Sequence, residues 1–497
     1  MKSLRIQSSR LNLYICKACT RRIRTFATAA STSPDIYDVV CVGGGPAGLS
    51  LAAALRSNPT TSSLRIALIE SQPLAASRNW TPKPNEFSNR CSSLTPKSVR
   101  FLKEIGAWDE VERGRVQAYG GMQVWDGVSG ARIEFDGWEG NRQRREEVDA
   151  QAGEERGVVA YMNENINLVR GLLRRIDKLG GVDIVQGKVA DVDYGADMGE
   201  DGDFSGWPIV RVEGKEERLA ARLLVGADGG MSPVRKWAGI ESHGWDYGRV
   251  GVVATLELDA RVEGEEGKIA YQRFLPTGPV ALLPLPGKYA TLVWSTTPEN
   301  AAVLKKLNAR DFVAMVNAAF RLGMPDLKYM HTQESGQEEE VEWRMKHTKI
   351  DGTVPATIVG VQEGSIASFP LKMRHADTYI GERVALVGDA AHTIHPLAGQ
   401  GLNQGQGDVE SLMRTIEYSV AHGMDIGVQM SLEKYNSERY TANHVLLGVV
   451  DKLHKLYAAE SAPIVIARSL GLRAVNAMGP LKRFFMEQAS GTGAKIL

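Results

Sequence analysis

The sequence of 497 residues has no excess of charge of either sign, since 59 lysines and arginines balance 59 aspartates and glutamates. Without a basic run beyond its first thirty residues, it lacks the electrostatic footprint of a nucleic-acid-binding protein, so we exclude nucleic acid as a partner. No unbroken apolar stretch reaches the roughly 18 residues of a spanning helix, which predicts that the chain does not cross a membrane. Four cysteines are too few for a secreted disulfide framework. These absences favour a globular protein of two or three domains in a reducing compartment.

The first 34 residues differ in composition from the rest of the chain. Seven of them are basic, and no acidic residue precedes Asp35. This composition is typical of an organellar transit peptide, and the mitochondrial type fits best. We therefore predict a mitochondrial transit peptide at residues 1–34, with a basic arm that stays attached as the alternative. Cys16 and Cys19 fall inside this leader without further ligands, so no zinc site is expected there.

The chain after the leader opens with the pattern of a dinucleotide-binding βαβ unit. Residues 36–42 are apolar and β-branched, as in a buried parallel strand, and a glycine turn and a helix-forming segment follow. In such a turn the first glycine allows the tight bend, the second lets the backbone approach a pyrophosphate, and the third lets helix and strand pack closely. An acid at the end of the second strand binds the ribose. The predicted dinucleotide-binding residues are Gly43, Gly45, Pro46, Ala47, Gly48 and Glu70.

Other interpretations of this turn are weaker. Gly43 and Gly48 also have the spacing of a P-loop, but Leu49 stands where the phosphate-binding lysine is required. NAD and FAD use the same first turn, so this motif alone leaves both open. No G-x-S-x-G segment occurs, so a serine hydrolase has no support.

Two later segments each place an acid beside a glycine after an apolar strand. In residues 223–235 the acid is Asp228, and in residues 383–403 it is Asp389, which follows Gly388. With the first glycine turn, these segments resemble the three fingerprints of the class A flavin-dependent aromatic hydroxylases. The resemblance implies FAD, with Asp389 contacting its ribityl chain and pyrophosphate and Asp228 helping to hold the flavin.

The loop of the third segment suits a flavin ring. Its glycines let the backbone come close to a ligand, and the helix that follows offers N–H groups toward the electron-rich pyrimidine edge. In this segment we predict cofactor contacts by Gly388, Asp389, Pro396, Gly399, Gln400, Gly401, Leu402 and Asn403. The predicted catalytic residues of the loop are His395, Gly399 and Gly401.

A metal site is the alternative for this loop. Asp389, His392 and His395 could form a carboxylate and two imidazole ligands, but their spacing is not that of two histidines on one helix face. A metal would also leave the glycines unexplained. We expect no metal, and we interpret the two histidines as residues that shape the loop beside the flavin.

Residues 248–297 alternate apolar and polar positions in short runs between Gly and Pro turns, which predicts a mostly antiparallel sheet that forms the substrate domain. The strings AYQRFLPTGPVALLPL, NRCSSLTPKSV and GQGLNQGQGDVESL resemble the ubiquinone-biosynthesis hydroxylases. The resemblance runs from about residue 36 to the C-terminus. It implies an FAD-dependent monooxygenase that uses O2 and a flavin C4a-hydroperoxide to hydroxylate ring position C5 of a polyprenyl-4-hydroxybenzoate-type phenol.

The same resemblance suggests three further site residues. Arg90 stands where such flavoproteins place an arginine that reaches the cofactor, with a surface ion pair as the alternative. Asn165 falls where they place a polar side chain near the ribityl or phosphate region. Arg273 is the fourth predicted catalytic residue: it is expected to pair with the carboxylate of the aromatic substrate, with a solvated strand residue as the alternative.

The family also implies partners and a location. Most relatives take electrons from NAD(P)H, whereas the mitochondrial branch receives them from a ferredoxin and ferredoxin reductase. Other ubiquinone-biosynthesis enzymes in a complex are expected partners, on the matrix side of the inner membrane with peripheral membrane contact. Two alternatives remain: a flavin-carrying structural subunit of a biosynthetic complex, and a related isoprenoid epoxidase or reductase.

The predicted fold is α/β, with a Rossmann-like FAD-binding domain, an inserted antiparallel β-sheet substrate domain and a C-terminal helical region. The acidic segment 195–206 is interpreted as a hairpin loop. The predicted parts are a discontinuous FAD-binding domain at 35–110, 157–245 and 375–430, a substrate-binding sheet domain at 111–156 and 246–374 with a mobile insertion at 136–157, and C-terminal helices at 431–497.

Overall fold

The computed structural model describes residues 33–136, 157–197, 202–259, 269–349, 354–394 and 399–478. Residues 1–32 of the predicted leader, residues 137–156 of the predicted insertion, part of the acidic segment, and both His395 and Pro396 lie outside this description.

The described residues form the following strands and helices. The strands are β1 (Asp35–Val42), β2 (Ile66–Glu70), β3 (Cys91–Leu94), β4 (Val116–Tyr119), β5 (Gly121–Asp126), β6 (Arg132–Asp136), β7 (Ala160–Glu164), β8 (Val182–Gln186), β9 (Val189–Tyr194), β10 (Pro208–Val212), β11 (Arg218–Gly226), β12 (Ser242–Leu258), β13 (Ile269–Leu275), β14 (Gly278–Pro284), β15 (Tyr289–Thr296), β16 (Ile358–Val361), β17 (Ala367–Ala376), β18 (Ile380–Gly381), β19 (Val384–Leu386) and β20 (His392–Thr393). The helices are α1 (Pro46–Ser57), α2 (Ala75–Arg78), α3 (Pro96–Glu104), α4 (Asn165–Leu179), α5 (Pro233–Trp237), α6 (Pro298–Lys306), α7 (Ala309–Arg321), α8 (Met324–Met330), α9 (Gln337–His347), α10 (Gly401–Ala421), α11 (Gln429–Ala458) and α12 (Ala462–Ala477).

The first sheet has the order β18-β19-β11-β1-β2-β8, with β10 and β9 added beside β11. Strand β1 is parallel to both β2 and β11, and β11 is parallel to β19. Val39 and Val40 are fully buried, as expected for a parallel strand covered on both faces. Helix α1 begins with Pro46, whose fixed φ suits a first helical position, and it packs against α4. This arrangement confirms the predicted Rossmann-like half.

The second sheet has the order β20-β17-β12-β15-β14-β13-β5-β6, and its pairs are antiparallel except β13 with β5. Helices α6 to α9 cover one face, where Trp294, Phe312 and Phe320 form a buried core. The inserted antiparallel sheet is therefore confirmed. Ser242 pairs with Ala376, so the sheet extends beyond the predicted limits of 246 and 374 because the ladder of β12 and β17 continues.

The C-terminal helices are held to the second sheet by a buried ion pair. Arg468 on α12 donates from Nε and Nη2 to the two carboxylate oxygens of Asp126, both at 3.0 Å. Its Nη1 donates to the carbonyl groups of Leu456, Tyr457 and Ala459. Tyr457 of α11 stacks on Phe274 of β13 with ring centroids 4.0 Å apart. Within the described ranges, no helix combines the length and apolarity needed to span a bilayer.

The Asp126–Arg468 pair makes a testable contribution to stability. Asp126 is completely buried, so Asp126→Ala leaves the Arg468 guanidinium without its counter-ion in the interior. We expect the free energy of unfolding to fall by about 3–5 kcal/mol. Urea unfolding measures this change.

The matched control is Glu213→Ala, which removes one partner of the exposed Lys188–Glu213 pair. This change should be much smaller, because exposed ion pairs contribute little. Equal losses in the two variants would contradict the role assigned to Asp126.

Candidate functional site

The carboxyl ends of four parallel strands meet at one edge of the first sheet. The N–H of Gly43 donates to the Ile69 carbonyl at 2.8 Å, and the N–H of Ala227 donates to the Val42 carbonyl at 2.8 Å. The N–H of Val387 donates to the Gly226 carbonyl at 2.9 Å. These hydrogen bonds continue the pairing of the strands into the turns that follow them. The glycine turn, Glu70, Asp228 and Gly388 therefore lie together, where open α/β sheets bind their ligands.

The three glycines of the first turn occupy different surroundings. A Cβ on Gly48 would lie 2.0 Å from the Gly43 carbonyl oxygen, and one on Gly43, whose φ is +114°, would lie 2.2 Å from the Ala227 oxygen. At both positions, backbone atoms leave no room for a side chain. A Cβ on Gly45 would meet nothing within 4 Å, so this residue borders open space. Since α1 has neither a side-chain cap nor an acid in its first turn, its N–H groups are available to an anion. This cradle fits a pyrophosphate.

Glu70 already contacts the glycine turn. Its Oε2 accepts a hydrogen bond from the Gly44 N–H at 2.5 Å, and its Oε1 accepts one from the Gln72 N–H at 2.7 Å. The carboxylate thus lies between the end of β2 and the turn, as a ribose-binding acid requires.

Asp228 follows β11, and its carboxyl group can accept a further hydrogen bond. Its Oδ2 accepts a hydrogen bond from the Val234 N–H at 3.1 Å. Its Oδ1 is buried without a hydrogen-bond partner in the described part of the chain. Burial raises the pKa of Asp228, although hydrogen bonds from Ser232 and Val234 oppose this shift. An orphaned buried oxygen beside the cradle fits a donor supplied by a ligand.

The Gly388–Asp389 turn packs directly on α1. Gly388 has φ of +60°, and a Cβ there would lie 3.4 Å from the Ala47 Cβ. Gly405 of α10 approaches the same point, with its own added Cβ 3.4 Å from the Gly388 Cα. The Asp389 residue is exposed. Neighbouring protein nevertheless desolvates this carboxyl enough to raise its pKa, while His392 opposes the shift.

Asp408 is a functional residue that the sequence motifs did not single out. This fully buried residue of α10 accepts hydrogen bonds at Oδ2 from the Gly388 N–H at 3.0 Å and from His392 Nε2 at 2.6 Å. Its Oδ1 accepts from Arg439 Nε at 2.8 Å and from Asn443 Nδ2 at 3.0 Å. Burial acts to raise the pKa of Asp408, but His392 and Arg439 outweigh it and lower the pKa to about 2. The carboxylate therefore holds the turn that carries Asp389.

These bonds also bear on the metal alternative. His392 Nε2 is engaged by Asp408, so this nitrogen is not directed at Asp389. His395 lies outside the described residues. In the part of the chain that the structure describes, acidic and histidine ligand atoms come close together at an exposed group, Glu241, His243 and Asp377, which is not part of the predicted loop.

The loop at 399–403 is fixed mainly by Asn403. Its Nδ2 donates to the Ser93 carbonyl at 2.8 Å, and its Oδ1 accepts from the Thr95 N–H at 2.9 Å and from Ser98 Oγ at 2.8 Å. The side chain thus joins α10 to the segment of β3 and α3, which leaves the helix-start backbone for a ligand. Gly399 has φ of +58°, a conformation that glycine adopts readily.

The remaining residues of this loop begin α10. Gln400 is the N-cap, Gly401 is the first helical residue, and Leu402 packs against the main core. The first three N–H groups of a helix precede its first internal hydrogen bond, which here joins the Gln404 N–H to the Gln400 carbonyl. These groups could hold the electron-rich edge of a flavin. Pro396, like His395, is outside the description.

The structure brings Arg90 and Asn165 together. The Asn165 N–H donates to the Arg90 carbonyl at 2.9 Å, and Asn165 Oδ1 accepts from Ser92 Oγ at 2.7 Å. The Arg90 side chain is exposed. Both residues therefore lie beside β3, next to the segment that Asn403 binds.

Arg273 lies elsewhere. Its Nη1 donates to the Ala319 carbonyl of α7 at 2.8 Å, and burial lowers the pKa of its guanidinium to about 10. The side chain is buried on the helix-covered face of β13, so it is not a solvated strand residue. Ala270 on the other face packs near Phe87 and Met162 instead. Side chains alternate along a strand, so this register turns Arg273 away from the FAD-binding half and argues against pairing with the substrate.

A comparison of alanine substitutions at Gly45 and Gly48 tests whether the glycine turn binds the pyrophosphate. Gly45 has extended backbone, and the space around it accepts a methyl group, so Gly45→Ala should keep the stability of the wild-type protein. The methyl group would occupy the pyrophosphate space, and we expect FAD affinity to fall at least about ten-fold. Gly48→Ala should lower stability itself, because its Cβ collides with the backbone. Flavin titration and urea unfolding separate the two effects. Normal FAD affinity in Gly45→Ala would contradict the assignment.

The role of Asp408 gives a pH-dependent prediction. Because its pKa is lowered to about 2 in the folded protein and is about 3.9 in an unfolded chain, its stabilising effect is complete above about pH 5. This stabilisation is lost as the pH falls from about 5 to about 2. Asp408→Asn should reduce the free energy of unfolding by about 3–5 kcal/mol at neutral pH, with the difference from wild type shrinking below about pH 4.

Urea unfolding at several pH values measures this difference. Glu433→Gln, which changes an exposed carboxylate on α11, is the control and should alter stability little. A wild-type-to-Asp408→Asn difference that stays constant down to about pH 2 would contradict the lowered pKa.

The chain as a whole is similar to proteins of a known family. Residues 36–447 match the family model described as "FAD binding domain". "Ubiquinone biosynthesis monooxygenase COQ6, mitochondrial" of Schizosaccharomyces pombe is 41% identical over 459 residues, covering 90% of this chain and 91% of that protein. The protein of the same name from Saccharomyces cerevisiae is 39% identical, covering 95% and 98%, and the one from Homo sapiens is 36% identical, covering 93% and 94%.

Solved structures show the same fold. The p-nitrophenol 4-monooxygenase PnpA from Pseudomonas putida superposes with a TM-score of 0.64 at 18% identity, covering 93% of this chain and all of that one, 100%. A variant of HpxO from Klebsiella pneumoniae, complexed with FAD, superposes with a TM-score of 0.60 at 17% identity, covering 92% and 99%. The family match and the sequence identities show that FAD is the cofactor and that this chain belongs to the mitochondrial ubiquinone-biosynthesis monooxygenases of the FAD-binding-domain family.

Proposed function

We propose that the protein hydroxylates ring position C5 of a polyprenyl-4-hydroxybenzoate-type intermediate. The observation that carries this proposal is the convergence of the three flavin motifs at one sheet edge, beside the antiparallel sheet, in a chain whose relatives are named for ubiquinone biosynthesis. A monooxygenase needs a cofactor cradle, and the glycine turn with the start of α1 offers one.

The residues of the site have different roles in binding FAD in this proposal. The open cradle at Gly45 and the α1 N–H groups bind the pyrophosphate, and Glu70 binds the adenosine ribose. Asp389 accepts hydrogen bonds from the ribityl chain, while the orphaned Asp228 Oδ1 takes a further donor. When bound, FAD would supply the activation of O2 that hydroxylation needs.

The loop at 399–403 orients the ring and limits the entry of water. Its helix-start N–H groups would hold the electron-rich pyrimidine edge of the flavin. Asn403 and Asp408 keep the loop and the Gly388 turn in place. Arg273 has no role in holding the substrate in this proposal, because its guanidinium is engaged by backbone carbonyls behind the sheet.

Electrons come from a ferredoxin and its reductase in this proposal, with NAD(P)H as the alternative donor. The support is the identity of 36–41% to relatives named as mitochondrial. We further infer peripheral attachment to the matrix side of the inner membrane and association with other enzymes of ubiquinone biosynthesis. A phenol with a long isoprenoid chain resides in the bilayer, so an enzyme at its surface reaches the substrate directly.

Anaerobic flavin absorbance, followed by product analysis, tests this function. We expect reduced ferredoxin to bleach the flavin and NADPH to leave it oxidised. On admission of ¹⁸O₂, a prenylated 4-hydroxybenzoate should gain one labelled oxygen at C5. Rapid bleaching by NADPH would contradict the donor, and a product without added oxygen, or with an epoxide, would contradict hydroxylation.

Gly401→Trp provides the matched variant. Among the described residues, the one atom within 4 Å of an added Cβ at Gly401 is the Ile394 Cγ2, at 3.6 Å. An indole at this position would compete for the space that we propose for the flavin. We expect the product to disappear while the fold and the assembly with partner enzymes persist. If the wild-type protein assembles with its partner enzymes but never forms a hydroxylated product, the protein is a structural subunit and not an enzyme.

A further inference from the structure

A cavity lies between the second sheet and the helices that cover it. Its volume is about 180 Å³. The wall is formed by β15, by the hairpin that joins β13 to β14, and by α8 with the residues that follow it. The lining includes Leu275, Trp294, Met324, Leu327, Lys328 and His331. None of these residues belongs to the FAD site described above, so the cavity needs a separate explanation.

The cavity is on the helix-covered face of the sheet. Trp294 and Leu275 belong to the buried core beneath the helices. Tyr289, an odd number of positions from Trp294 on the same strand, packs on Phe87 with ring centroids 5.2 Å apart. Because side chains alternate along a strand, Tyr289 and Trp294 lie on opposite faces of the sheet. The sheet itself therefore separates the cavity from the side on which Phe87 packs.

The size and the walls of the cavity fit one aromatic ring. Leu275, Leu327 and Trp294 are almost completely buried, and Met324 extends the apolar wall. An apolar cavity of about 150 Å³ in a protein interior holds a benzene molecule. At about 180 Å³, this cavity has room for a ring with one small substituent.

Two buried ring nitrogens of the cavity lack hydrogen-bond partners among the described residues. They are Nε1 of Trp294 and Nδ1 of His331, and the centroids of the two rings are 5.8 Å apart. The indole nitrogen is a donor only. Burial lowers the pKa of His331 to about 4, so the imidazole is neutral at pH 7 and one of its nitrogens is an acceptor. Buried polar atoms without partners are rare, and this pair indicates a ligand group that both accepts and donates.

We propose that this cavity, which we call the Trp294 pocket, binds a small phenol of one ring at a site distinct from the flavin site. The ring lies against Leu275, Leu327 and Met324. The phenol hydroxyl accepts a hydrogen bond from Trp294 Nε1 and donates one to His331 Nδ1. Phenol binding in this pocket does not depend on the function proposed above, because no residue of the FAD site takes part.

Other small ligands fit the Trp294 pocket less well. A carboxylate needs a cation, but His331 is neutral, and the exposed Lys328 ammonium pairs with Glu460 at 3.3 Å. An ammonium ion needs an acid, and the described residues that line the pocket include none. Benzene fills the space but leaves both nitrogens without partners. Water alone would leave the apolar wall hydrated.

Ligand-observed NMR titration of the FAD-loaded full chain with phenol, benzene and benzoate tests the proposal. Leu327→Phe fills the pocket with a larger side chain, so the difference between wild type and this variant measures binding at the pocket. In this difference we expect phenol to bind at least about three-fold more tightly than benzene, because its hydroxyl adds hydrogen bonds. Benzoate should show no difference. Flavin absorbance, recorded in parallel, reports any phenol that binds beside the cofactor instead.

Two pairs of variants locate the hydrogen bonds. Trp294→Phe removes the indole N–H and should weaken phenol binding about three- to ten-fold, whereas Trp343→Phe changes an exposed tryptophan of α9 and should bind as wild type. His331→Phe removes the acceptor and should weaken binding by a similar factor, whereas His347→Phe, at an exposed position of α9, should not. Benzene makes no hydrogen bond, so its affinity should fall less than that of phenol in Trp294→Phe and His331→Phe.

Four results would overturn the proposal. They are equal phenol binding by wild type and Leu327→Phe, benzene binding as tight as phenol at the pocket, a benzoate difference as large as that of phenol, and wild-type phenol affinity in both Trp294→Phe and His331→Phe. Thermal unfolding shows whether each variant is folded. If Leu327→Phe does not fold, Met324→Phe, at a less buried part of the same wall, replaces it as the filling variant.

Discussion

The parallel pairing of β1 with β2 and β11, and of β11 with β19, is the constraint on which the site depends. Parallel strands place all their carboxyl ends at one edge, so three turns that are far apart in the sequence become neighbours. The hydrogen bonds that continue the ladder into Gly43, Ala227 and Val387 set the distances between those turns. A slip in register would separate the pyrophosphate cradle from Asp389.

Two buried carboxylates place the helices against this frame. Asp408 accepts four hydrogen bonds and so ties α10 and α11 to the Gly388 turn, while Asp126 ties α12 to the second sheet. A carboxylate loses its hydration on burial, and only several well-directed donors replace that loss. Each carboxylate consequently specifies one orientation of its partner helix, which a purely apolar contact would not specify as narrowly.

The FAD-binding half and the C-terminal helices use buried carboxylates in different ways. The FAD-binding half has open backbone and an unpaired carboxylate oxygen at the sheet edge, which are features of a ligand site. In the C-terminal region, the buried Asp126 carboxylate instead fixes α12 on the second sheet through both oxygens.

The sequence by itself predicted the dinucleotide-binding βαβ turn and the antiparallel substrate sheet, because glycine spacing and strand alternation are local properties that the chain shows directly. The choice of FAD over NAD rested on the resemblance of three motifs to the class A flavin hydroxylases. Tertiary structure decided the roles of Asp408, Asn403 and Arg273. A buried carboxylate on a helix looks like a solvent-facing one until the donors around it are known. The sequence shows that Arg273 lies on a strand but not which face of the sheet its side chain joins. That face is known only once β13 is paired with β5 and β14 and the helices cover one side of the sheet. Long-range packing, which no local pattern encodes, settled these assignments.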